Sequence, residues 1–392
     1  MEQKLFEEKY GVERLNTNCT KWDGLKEKFG EDGLISMWVA DMDFKAPEQV
    51  VSALHERIEH GVFGYTMTPD SYYNAFINWE EKHHGYKVKK EWIRYTPGVV
   101  SGIYWIVNIF TELGDAVLIS MPVYYPFHNA IKENGRKLVY SELINKEGHY
   151  TFDYVDFENK IKENNVKIYI LCSPHNPVGR VWKEEELEKI MEICSKYNVL
   201  VISDEIHHDL ILEGKHIPTA TVANGKYAKN IITLTAPSKT FNLAGCKNSF
   251  AIIENTEIIE KFDKYATTMA RVSNGSLFGY VAAEAAYTYG EEWLEGAIAT
   301  IKGNYKYMVD VLKEKLPEVK VSPLEGTYLS WLDLSAYIKD EDLEETIQKK
   351  CKMAVDYGRW FGDSGKGFIR INLATPRKYV EKAVENMIKV LA

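Results

Sequence analysis

The chain has 392 residues, 45% of them hydrophobic and 27% charged, which are ordinary values for a globular protein with a substantial core. Its formal net charge of −9, without a long basic run, argues against nucleic acid or an anionic membrane as a main partner. The charged N-terminal residues lack the apolar core of a signal peptide, and no apolar run is long enough to cross a bilayer. We therefore expect a soluble, cytoplasmic protein. The five cysteines are scattered and form no CxxC pair, so we expect free thiols and no metal site.

The first suggestive pattern along the chain is the pair of acids Asp41 and Asp43. Two nearby carboxylates could bind a cation. A helix is predicted to open after Pro47 and to run to His60, and acids before a helix often cap it. We favour capping, or a role at a hinge, over a cation site.

The next predicted helix runs from Ser71 to His84 and ends in two adjacent histidines. Neighbouring positions on a helix point in different directions, so His83 and His84 cannot face one metal together. We expect both to be surface residues.

A turn at 95–102 leads into a helix predicted from Ile103 to Leu113. The small residues around Val99, Val100 and Ser101 would leave backbone N–H groups free at a helix start, which favours a bound phosphate. An ordinary structural turn is the alternative. The chain has no Walker loop and no GxGxxG, so no motif supports nucleotide binding.

From residue 116 onwards, apolar strands alternate with helices, which predicts a mostly parallel sheet with right-handed crossovers. Each of four predicted strands ends in polar or aromatic residues. The strands are 116–119, 167–172, 199–202 and 231–234, and the residues that follow them include Tyr124, Asn176, Asp204 and Lys239. Open α/β sheets form their crevices at this edge, so the shared placement is a functional signal.

Lys239 follows the last of these strands after Pro237, and an amine held in such a crevice can lose solvation and become a nucleophile. A solvated loop lysine is the alternative. Arg370 alternates with apolar residues in a predicted strand at 368–373. It could point to solvent, or into a cleft where it would bind a carboxylate.

Together these groups are what pyridoxal phosphate (PLP) needs from a protein: an amine to attach it, a carboxylate for its ring nitrogen, an amide for its ring hydroxyl and a flat ring to stack on it. The helix start could take the phosphate, and the arginine could orient an amino-acid substrate by its carboxylate. PLP is therefore the expected cofactor.

The motifs at three strand ends resemble those of a known family. They are Ser-Pro-His-Asn-Pro-Val-Gly-Arg at 173–180, Ser-Asp-Glu-Ile-His at 203–207 and Ala-Pro-Ser-Lys-Thr-Phe-Asn-Leu-Ala-Gly at 236–245. Their order and spacing resemble fold-type I PLP enzymes of the class I/II aminotransferase superfamily. Within it, the chain is most similar to the MalY/PatB-type cystathionine β-lyases, through Lys-Trp-Asp at 21–23, Trp-Val-Ala-Asp-Met-Asp-Phe at 38–44 and Gly-Arg-Val-Trp at 179–182.

The resemblance implies an α/β protein with the PLP-transferase fold type I. A large PLP-binding domain, residues 46–288, would hold a mostly parallel seven-stranded sheet between helices. A smaller α+β domain would combine an N-terminal segment, residues 1–45, with the C-terminal residues 289–392. The sequence has no Pro- or Ser-rich linker, so we expect the two domains to pack together.

The resemblance also implies a role for each matching position. Lys239 would attach the cofactor covalently and, with Tyr124, would be catalytic. Arg370, Ala40 and Asn176 would bind the substrate. The residues implied at the cofactor are Asp204 at the pyridine nitrogen, Asn176 at the ring oxygen, Tyr124 on the ring face, and Val99, Val100 and Ser238 at the phosphate. Tyr65 would reach the phosphate in a neighbouring subunit, which implies a homodimer with shared active sites.

Two further positions bear on the choice of subgroup. Lys247 lies eight residues after Lys239, where aminotransferases often carry an arginine that binds phosphate, so it could hold the phosphate as a point charge. The lyases would have a small polar residue there. His207 stands where many aminotransferases have a tyrosine at the ring oxygen, and it favours the lyase group.

The resulting hypothesis is a carbon–sulfur β-lyase that acts on amino acids such as L-cystathionine or L-cystine and releases a thiol, pyruvate and ammonia. Transamination on the same fold is the alternative, since fold and cofactor do not separate the two reactions. A non-catalytic regulatory or scaffold protein is a third hypothesis, and the intact Lys239, Asp204 and Arg370 argue against it.

Overall fold

A computed structural model describes residues 1–272 and 274–392 of the chain. The helices are α1 (Gln3–Tyr10), α2 (Thr20–Asp23), α3 (Leu25–Phe29), α4 (Glu48–Glu59), α5 (Asp70–His84), α6 (Val99–Phe110), α7 (Pro126–Lys132), α8 (Tyr154–Asn164), α9 (Glu184–Lys196), α10 (Val222–Gly225), α11 (Pro237–Thr240), α12 (Thr256–Thr268), α13 (Leu277–Tyr289), α14 (Glu291–Lys315), α15 (Asp340–Glu344) and α16 (Arg377–Leu391). The strands are β1 (Ile35–Ser36), β2 (Ile93–Thr96), β3 (Ala116–Met121), β4 (Lys137–Glu142), β5 (Ile144–Lys146), β6 (His149–Thr151), β7 (Ile168–Cys172), β8 (Leu200–Asp204), β9 (Ile231–Thr235), β10 (Ser249–Ile253), β11 (Lys320–Val321), β12 (Leu329–Asp333), β13 (Met353–Ala354), β14 (Asp356–Tyr357) and β15 (Phe368–Asn372).

The largest sheet has seven strands in the order β2-β10-β9-β8-β7-β3-β4. Strand β10 runs antiparallel to both of its neighbours, and all the other pairs in this sheet are parallel. Helices connect the parallel strands, as in other sheets that are covered on both faces. The prediction of a mostly parallel seven-stranded sheet between helices is confirmed.

The inner strands β3, β7, β8, β9 and β10 are buried along their whole length because helices cover both faces of the sheet. In β3, Val117 and Ile119 belong to the apolar cluster that includes Ile103 of α6, whereas Leu118 belongs to the cluster on the other face, which includes Leu187 of α9. Side chains alternate between faces along a strand, so each face receives every second residue. Polar groups that serve a site therefore lie at the ends of these strands.

A second, antiparallel sheet of four strands has the order β11-β12-β15-β14, and β1 pairs in parallel with β13. The N-terminal segment is thereby joined to the C-terminal part of the chain. Arg370 lies in the middle of β15, opposite Trp331 of β12 on one side and Asp356 of β14 on the other. The proposed domain boundaries at 45/46 and 288/289 stay predictions.

The acids before α4 do not cap it, so the prediction of capping is wrong, whereas the role at a hinge stays a prediction. The helix begins after Pro47 and has no side-chain cap. Asp43 is buried and pairs with Lys21 at 2.8 Å, while Asp41 pairs with Arg14 at 2.8 Å. A buried carboxylate needs a cationic or hydrogen-bonding partner more than an exposed helix end needs a cap.

Helix α6 also differs from the sequence prediction, because it begins at Val99 rather than at Ile103. Val99 is 3% exposed and packs into the core next to the sheet. Burial of this valine extends the helix by one turn, which places its free N–H groups closer to the strand ends. Tertiary packing has here outweighed local propensity.

Among the described residues, no helix combines the length and the apolar character that crossing a membrane requires. All five cysteines are free, and four of them are buried, which confirms the expectation of free thiols.

Candidate active site

A cavity of about 220 Å³ lies at the carboxyl ends of β7, β8 and β9. This is the edge at which open α/β sheets bind ligands. Ten of the residues selected from the sequence line it: Ala40, Val99, Val100, Tyr124, Asn176, Asp204, His207, Ser238, Lys239 and Lys247. The structure therefore brings together side chains that are up to 207 positions apart in the chain, from Ala40 to Lys247.

The centre of the site is formed by two neighbouring strands. Asp204 is the last residue of β8 and lies beside Leu234 of β9 in the parallel register. Lys239 follows within α11, which opens with Pro237 directly after β9. Because both side chains leave the sheet at the same edge, they line the same cavity.

Asp204 is 4% exposed, and its carboxylate accepts a hydrogen bond from the backbone N–H of Ile206 at 3.1 Å. Burial raises its pKa to about 7, although the Ile206 N–H and the nearby Lys239 work against this shift. A carboxylate in this state would be stabilised by a cationic N–H group placed in the cavity.

Lys239 is half-buried, and its ammonium group donates to the carbonyl oxygen of Ala40 at 2.5 Å. Burial lowers its pKa to about 8; Asp41 and Asp204 oppose the shift, and Arg370 adds to it. A substantial fraction of this amine is therefore uncharged near pH 8, where it can act as a nucleophile or a base.

Arg370 is 2% exposed and points into the protein rather than to solvent. Its guanidinium donates to Asn176 Oδ1 at 3.0 Å and to the carboxylate of Asp356, and it lies 4.9 Å from the centre of the Phe361 ring. The Nε–H group is buried and has no partner among the described residues. Because Arg370 occupies Asn176 Oδ1, the amide NH₂ of Asn176 is the part of that side chain which can donate to a ligand.

Tyr124 and His207 are the aromatic side chains of the cavity. Burial raises the pKa of the Tyr124 hydroxyl, so this group stays protonated at neutral pH. Burial and the nearby charges of Lys239 and Arg370 lower the pKa of His207, so its ring stays neutral. His207 Nδ1 is buried without a partner among the described residues, and it could bond to a ligand.

One end of the cavity collects groups that suit an anion. Helix α6 starts there after Gly98, and the N–H groups of its first turn have no carbonyl partner within the helix. Ser238 and the exposed side chain of Lys247 line the same end. Lys247 has a left-handed backbone with φ of 51°, and its carbonyl oxygen accepts from the Tyr95 hydroxyl at 2.9 Å.

Tyr65 is the one selected residue that lies away from the site within a single chain. Its side chain is fully exposed, with a relative exposure of 113%, in the segment that connects α4 and α5. Val62, Phe63 and Met67 in the same segment are also exposed, although all are large and apolar.

A buried ionic cluster lies behind the site, and His84 belongs to it. His84 is 8% exposed and its Nε2 bonds to Asp209 at 2.8 Å, so the prediction that it is a surface residue is wrong. Asp209 also accepts from the Thr240 hydroxyl at 2.7 Å, next to Lys239. His208 bonds to Glu80 at 3.1 Å. The cluster ties the loop after β8 to helix α5 and to helix α11, which carries Lys239.

One carboxylate oxygen of Glu80 and one ring nitrogen each of His84 and His208 lie within 4.8 Å of one another, a spacing that could enclose a metal ion. Burial alone would lower the pKa of His208, but Asp209 and Glu80 raise it to about 10. A protonated His208 then places one positive charge beside these two buried carboxylates.

Two residues at the site were missed by the sequence analysis. Asp356 pairs with Arg370, and Tyr328 donates its hydroxyl to Ala40 O at 2.7 Å. Asp356 lies in a strand of two residues, and Tyr328 precedes β12, so neither has a local pattern that indicates a polar role. The alternation of apolar residues around Arg370 is the only nearby signal.

Comparison with known proteins identifies the family. The pattern described as "Aminotransferase class I and II" matches residues 33–387. "Cystathionine beta-lyase PatB" of Bacillus subtilis (strain 168) is 42% identical over 364 residues, which cover 92% of this chain and 93% of PatB.

Two solved structures are also very similar. One is cystalysin from Treponema denticola, whose structure contains pyridoxal 5'-phosphate; it has a TM-score of 0.93 and 39% identity, covering 97% of each chain. The other is the PLP-bound C–S lyase from Staphylococcus hominis, with a TM-score of 0.91 and 36% identity, again over 97% of each chain. These matches confirm the predicted resemblance and the predicted fold. The chain belongs to the aminotransferase class I and II family.

Proposed function

We propose that the protein is a PLP-dependent carbon–sulfur β-lyase, which eliminates a thiol from L-cystathionine-like amino acids and yields pyruvate and ammonia. The observation that carries the proposal is the placement of Lys239 and Asp204 in one cavity, at the ends of neighbouring strands. The activity agrees with the names of PatB and of the S. hominis enzyme.

The residues of the cavity fit the cofactor by their chemistry. Asp204 would face the protonated ring nitrogen, and this positive charge would lower the pKa that burial has raised in the carboxyl group. Asn176 would donate its NH₂ to the ring oxygen. His207 Nδ1, which no described residue contacts by a hydrogen bond, is available on the same wall. Tyr124 would stack on the ring. Bound PLP supplies an electron sink for the carbanion that forms at the substrate Cα.

The phosphate would bind at the start of α6. Backbone N–H groups of Val99 and Val100 offer donors there, and the helix dipole adds positive potential. Ser238 adds a hydroxyl, and Lys247 adds a charge.

The chain's own residues would bind the substrate and transfer its protons. Arg370 would bind the substrate carboxylate through a further N–H and its Nε–H, which has no partner within residues 1–272 and 274–392. Asn176 and Asp356 would hold the guanidinium in place. Lys239, with a pKa of about 8, would take the Cα proton as a general base. Tyr124, protonated at neutral pH, or Lys239 would donate a proton to the departing thiolate.

The proposal is tested by incubating the purified enzyme with L-cystathionine without any keto acid. We expect equal amounts of thiol and pyruvate, and neither product from Lys239→Ala. The exposed Lys229→Ala is a matched control that should keep full activity. Product that appears only after addition of a keto acid would show transamination instead. A protein that neither binds PLP nor turns over any amino acid would support the scaffold hypothesis.

We further propose that the active form is a homodimer in which Tyr65 completes the site of the other subunit. The exposed Val62, Phe63 and Met67 around it form an apolar surface that water solvates poorly, and a second copy of the chain would cover it. Mixing the inactive Tyr65→Ala and Lys239→Ala variants under exchange should restore activity, because a hybrid dimer contains one site with neither substitution. No recovery in a mixture shown to exchange subunits would count against the shared site.

A further inference from the structure

The carbonyl oxygen of Ala40 accepts two hydrogen bonds in the site. Lys239 Nζ donates to it at 2.5 Å, and the hydroxyl of Tyr328 donates to it at 2.7 Å. A carbonyl oxygen has two lone pairs and can accept both donors at once. The amine that starts the chemistry therefore shares its acceptor with a tyrosine that has no assigned role.

The backbone around Ala40 is shaped so that this oxygen faces the cavity. Asn372 Nδ2 donates to the carbonyl oxygens on either side, those of Val39 and Asp41, at 2.7 Å each. The N–H of Asp41 turns back to Val39 O at 2.9 Å. Val39 has a φ of 44°, which is unfavourable for a β-branched residue and indicates a constraint tied to function.

Tyr328 is completely buried, and its ring meets the ring of His207 edge-on at 5.8 Å between centroids. Burial raises the pKa of its hydroxyl well above the ordinary value, so Tyr328 remains a donor over the working pH range. Removal of the hydroxyl would leave Ala40 O with Lys239 as its remaining side-chain donor. The backbone around Ala40 would stay in place, because Asn372 donates to the carbonyl oxygens on both sides of it. Asn242 also bonds to the backbone of Met42 and Phe44.

We propose that Tyr328 is a positioning residue that sets the basicity of the free Lys239 amine by sharing the Ala40 carbonyl oxygen with it. The proposal rests on the proposed function, in which Lys239 is the base and the attachment residue. Two donors on one oxygen draw on the same electron density, so each bond is weaker than it would be alone. Without the Tyr328 hydroxyl, the oxygen stabilises the ammonium form of Lys239 more strongly.

Other charges also face this amine and must stay unchanged in the test. Asp41 and Asp204 favour its ammonium form, whereas Arg370 disfavours it. The neutral His207 lies on the same wall. None of these side chains is altered by Tyr328→Phe, which removes one oxygen atom and leaves Ala40 O with its hydrogen bond from Lys239.

The test uses the full chain freed of cofactor, and measures the rate of covalent PLP attachment against pH by visible absorbance. Borohydride trapping and peptide mass spectrometry identify Lys239 as the labelled residue. We expect Tyr328→Phe to raise the apparent pKa of attachment by about 0.5 to 1 pH unit and to slow it about three- to tenfold below that pKa. Tyr305→Phe is the matched control, since Tyr305 also donates to a backbone carbonyl, Ser322 O at 3.0 Å, but away from the site.

A second readout separates positioning from general loss of structure. In the holoenzyme, Tyr328→Phe should shift the acid limb of the kcat profile upward by the same amount, with KM within about twofold of the wild type. An apparent pKa equal to that of the wild type, or lower, would overturn the proposal. So would a KM increase larger than the change in kcat, because it would mean that the segment around Ala40 had moved. If the wild-type chain attaches no PLP at Lys239, the proposed function fails instead.

Discussion

The pair of Arg370 and Asp356 offers a test in which stability and substrate binding should separate. Each residue is 2% exposed, and the guanidinium donates to Asp356 and to Asn176 Oδ1. Replacing Arg370 by Gln removes the charge but leaves the Asp356 carboxylate buried next to a neutral amide. Breaking one half of a buried ion pair costs about 3–5 kcal/mol, and we expect Arg370→Gln to lower the free energy of unfolding by that amount.

The compensating substitution is Asp356→Asn in the same chain. The double variant has no buried charge at this position, and its two amides can hydrogen-bond to each other. We expect it to recover about 2 kcal/mol or more of the lost stability. Substrate binding should not recover, because neither Arg370→Gln nor the double variant has a guanidinium that could bind the substrate carboxylate. A charged hydrogen bond is worth about 1.5–3 kcal/mol, so KM should rise about 10- to 100-fold in both variants.

The measurements are urea unfolding and steady-state kinetics on four proteins: the wild type, the two single variants and the double variant. If Arg370→Gln unfolds at the wild-type midpoint, the two side chains do not form a buried ion pair in solution. If the double variant regains a wild-type KM, Arg370 does not bind the substrate carboxylate. The expected pattern is recovery of stability without recovery of KM.

Three further predictions concern the surroundings of the site. Burial raises the pKa of Asp204 to about 7, so the free energy of unfolding of the cofactor-free chain should fall by up to about 4 kcal/mol as pH rises from about 4 to 7. Asp204→Asn should lack this loss and also lack activity. If urea unfolding gives the same dependence on pH for both proteins, the burial argument is contradicted. The pKa of His208 is raised to about 10, so the stability that its charge contributes is complete below about pH 6.5 and is lost as pH rises to 10. The wild type should therefore lose more free energy of unfolding over this window than His208→Gln. If the two proteins show parallel curves of unfolding free energy against pH, His208 is not part of an ionic cluster. Asn372→Ala removes the hydrogen bonds to Val39 O and Asp41 O, so amide hydrogen exchange around residues 39–41 should become faster and KM should rise several-fold. Unchanged exchange would mean that Asn372 does not hold these residues in place.

The strand-end residues could be predicted from the sequence because a sheet covered on both faces leaves few positions for polar groups. Asp204 ends the buried strand β8 and Lys239 follows the buried strand β9, and the parallel order of these strands requires their carboxyl ends to meet at one edge. The same reasoning brings Asn176 and Tyr124 to the cavity. Only the alternation of strands and helices was needed for this part of the site.

Other residues could not be placed, because their partners are distant in the sequence. His84 ends an amphipathic helix like an ordinary surface residue, but it is buried against Asp209, which is 125 positions away. Asp43 looks like a cap for the next helix, a role worth about 1 kcal/mol, yet it is held by Lys21 in the interior. In both cases a buried contact with a residue distant in the sequence outweighs the local pattern, and the local pattern carries no information about that contact.

Tyr65 shows the opposite situation, because it lies in the segment between α4 and α5 and a single chain leaves it exposed to water. Val62, Phe63 and Met67 share that exposure, and each would gain about 25 cal/mol for every Å² of apolar surface that becomes covered. A loop of this composition is costly for a monomer and favourable for a chain that pairs with a copy of itself. If the pairing also completes the phosphate end of the site, assembly and activity depend on the same contacts. Selection for a working site would then maintain an apolar segment that the stability of one chain does not explain.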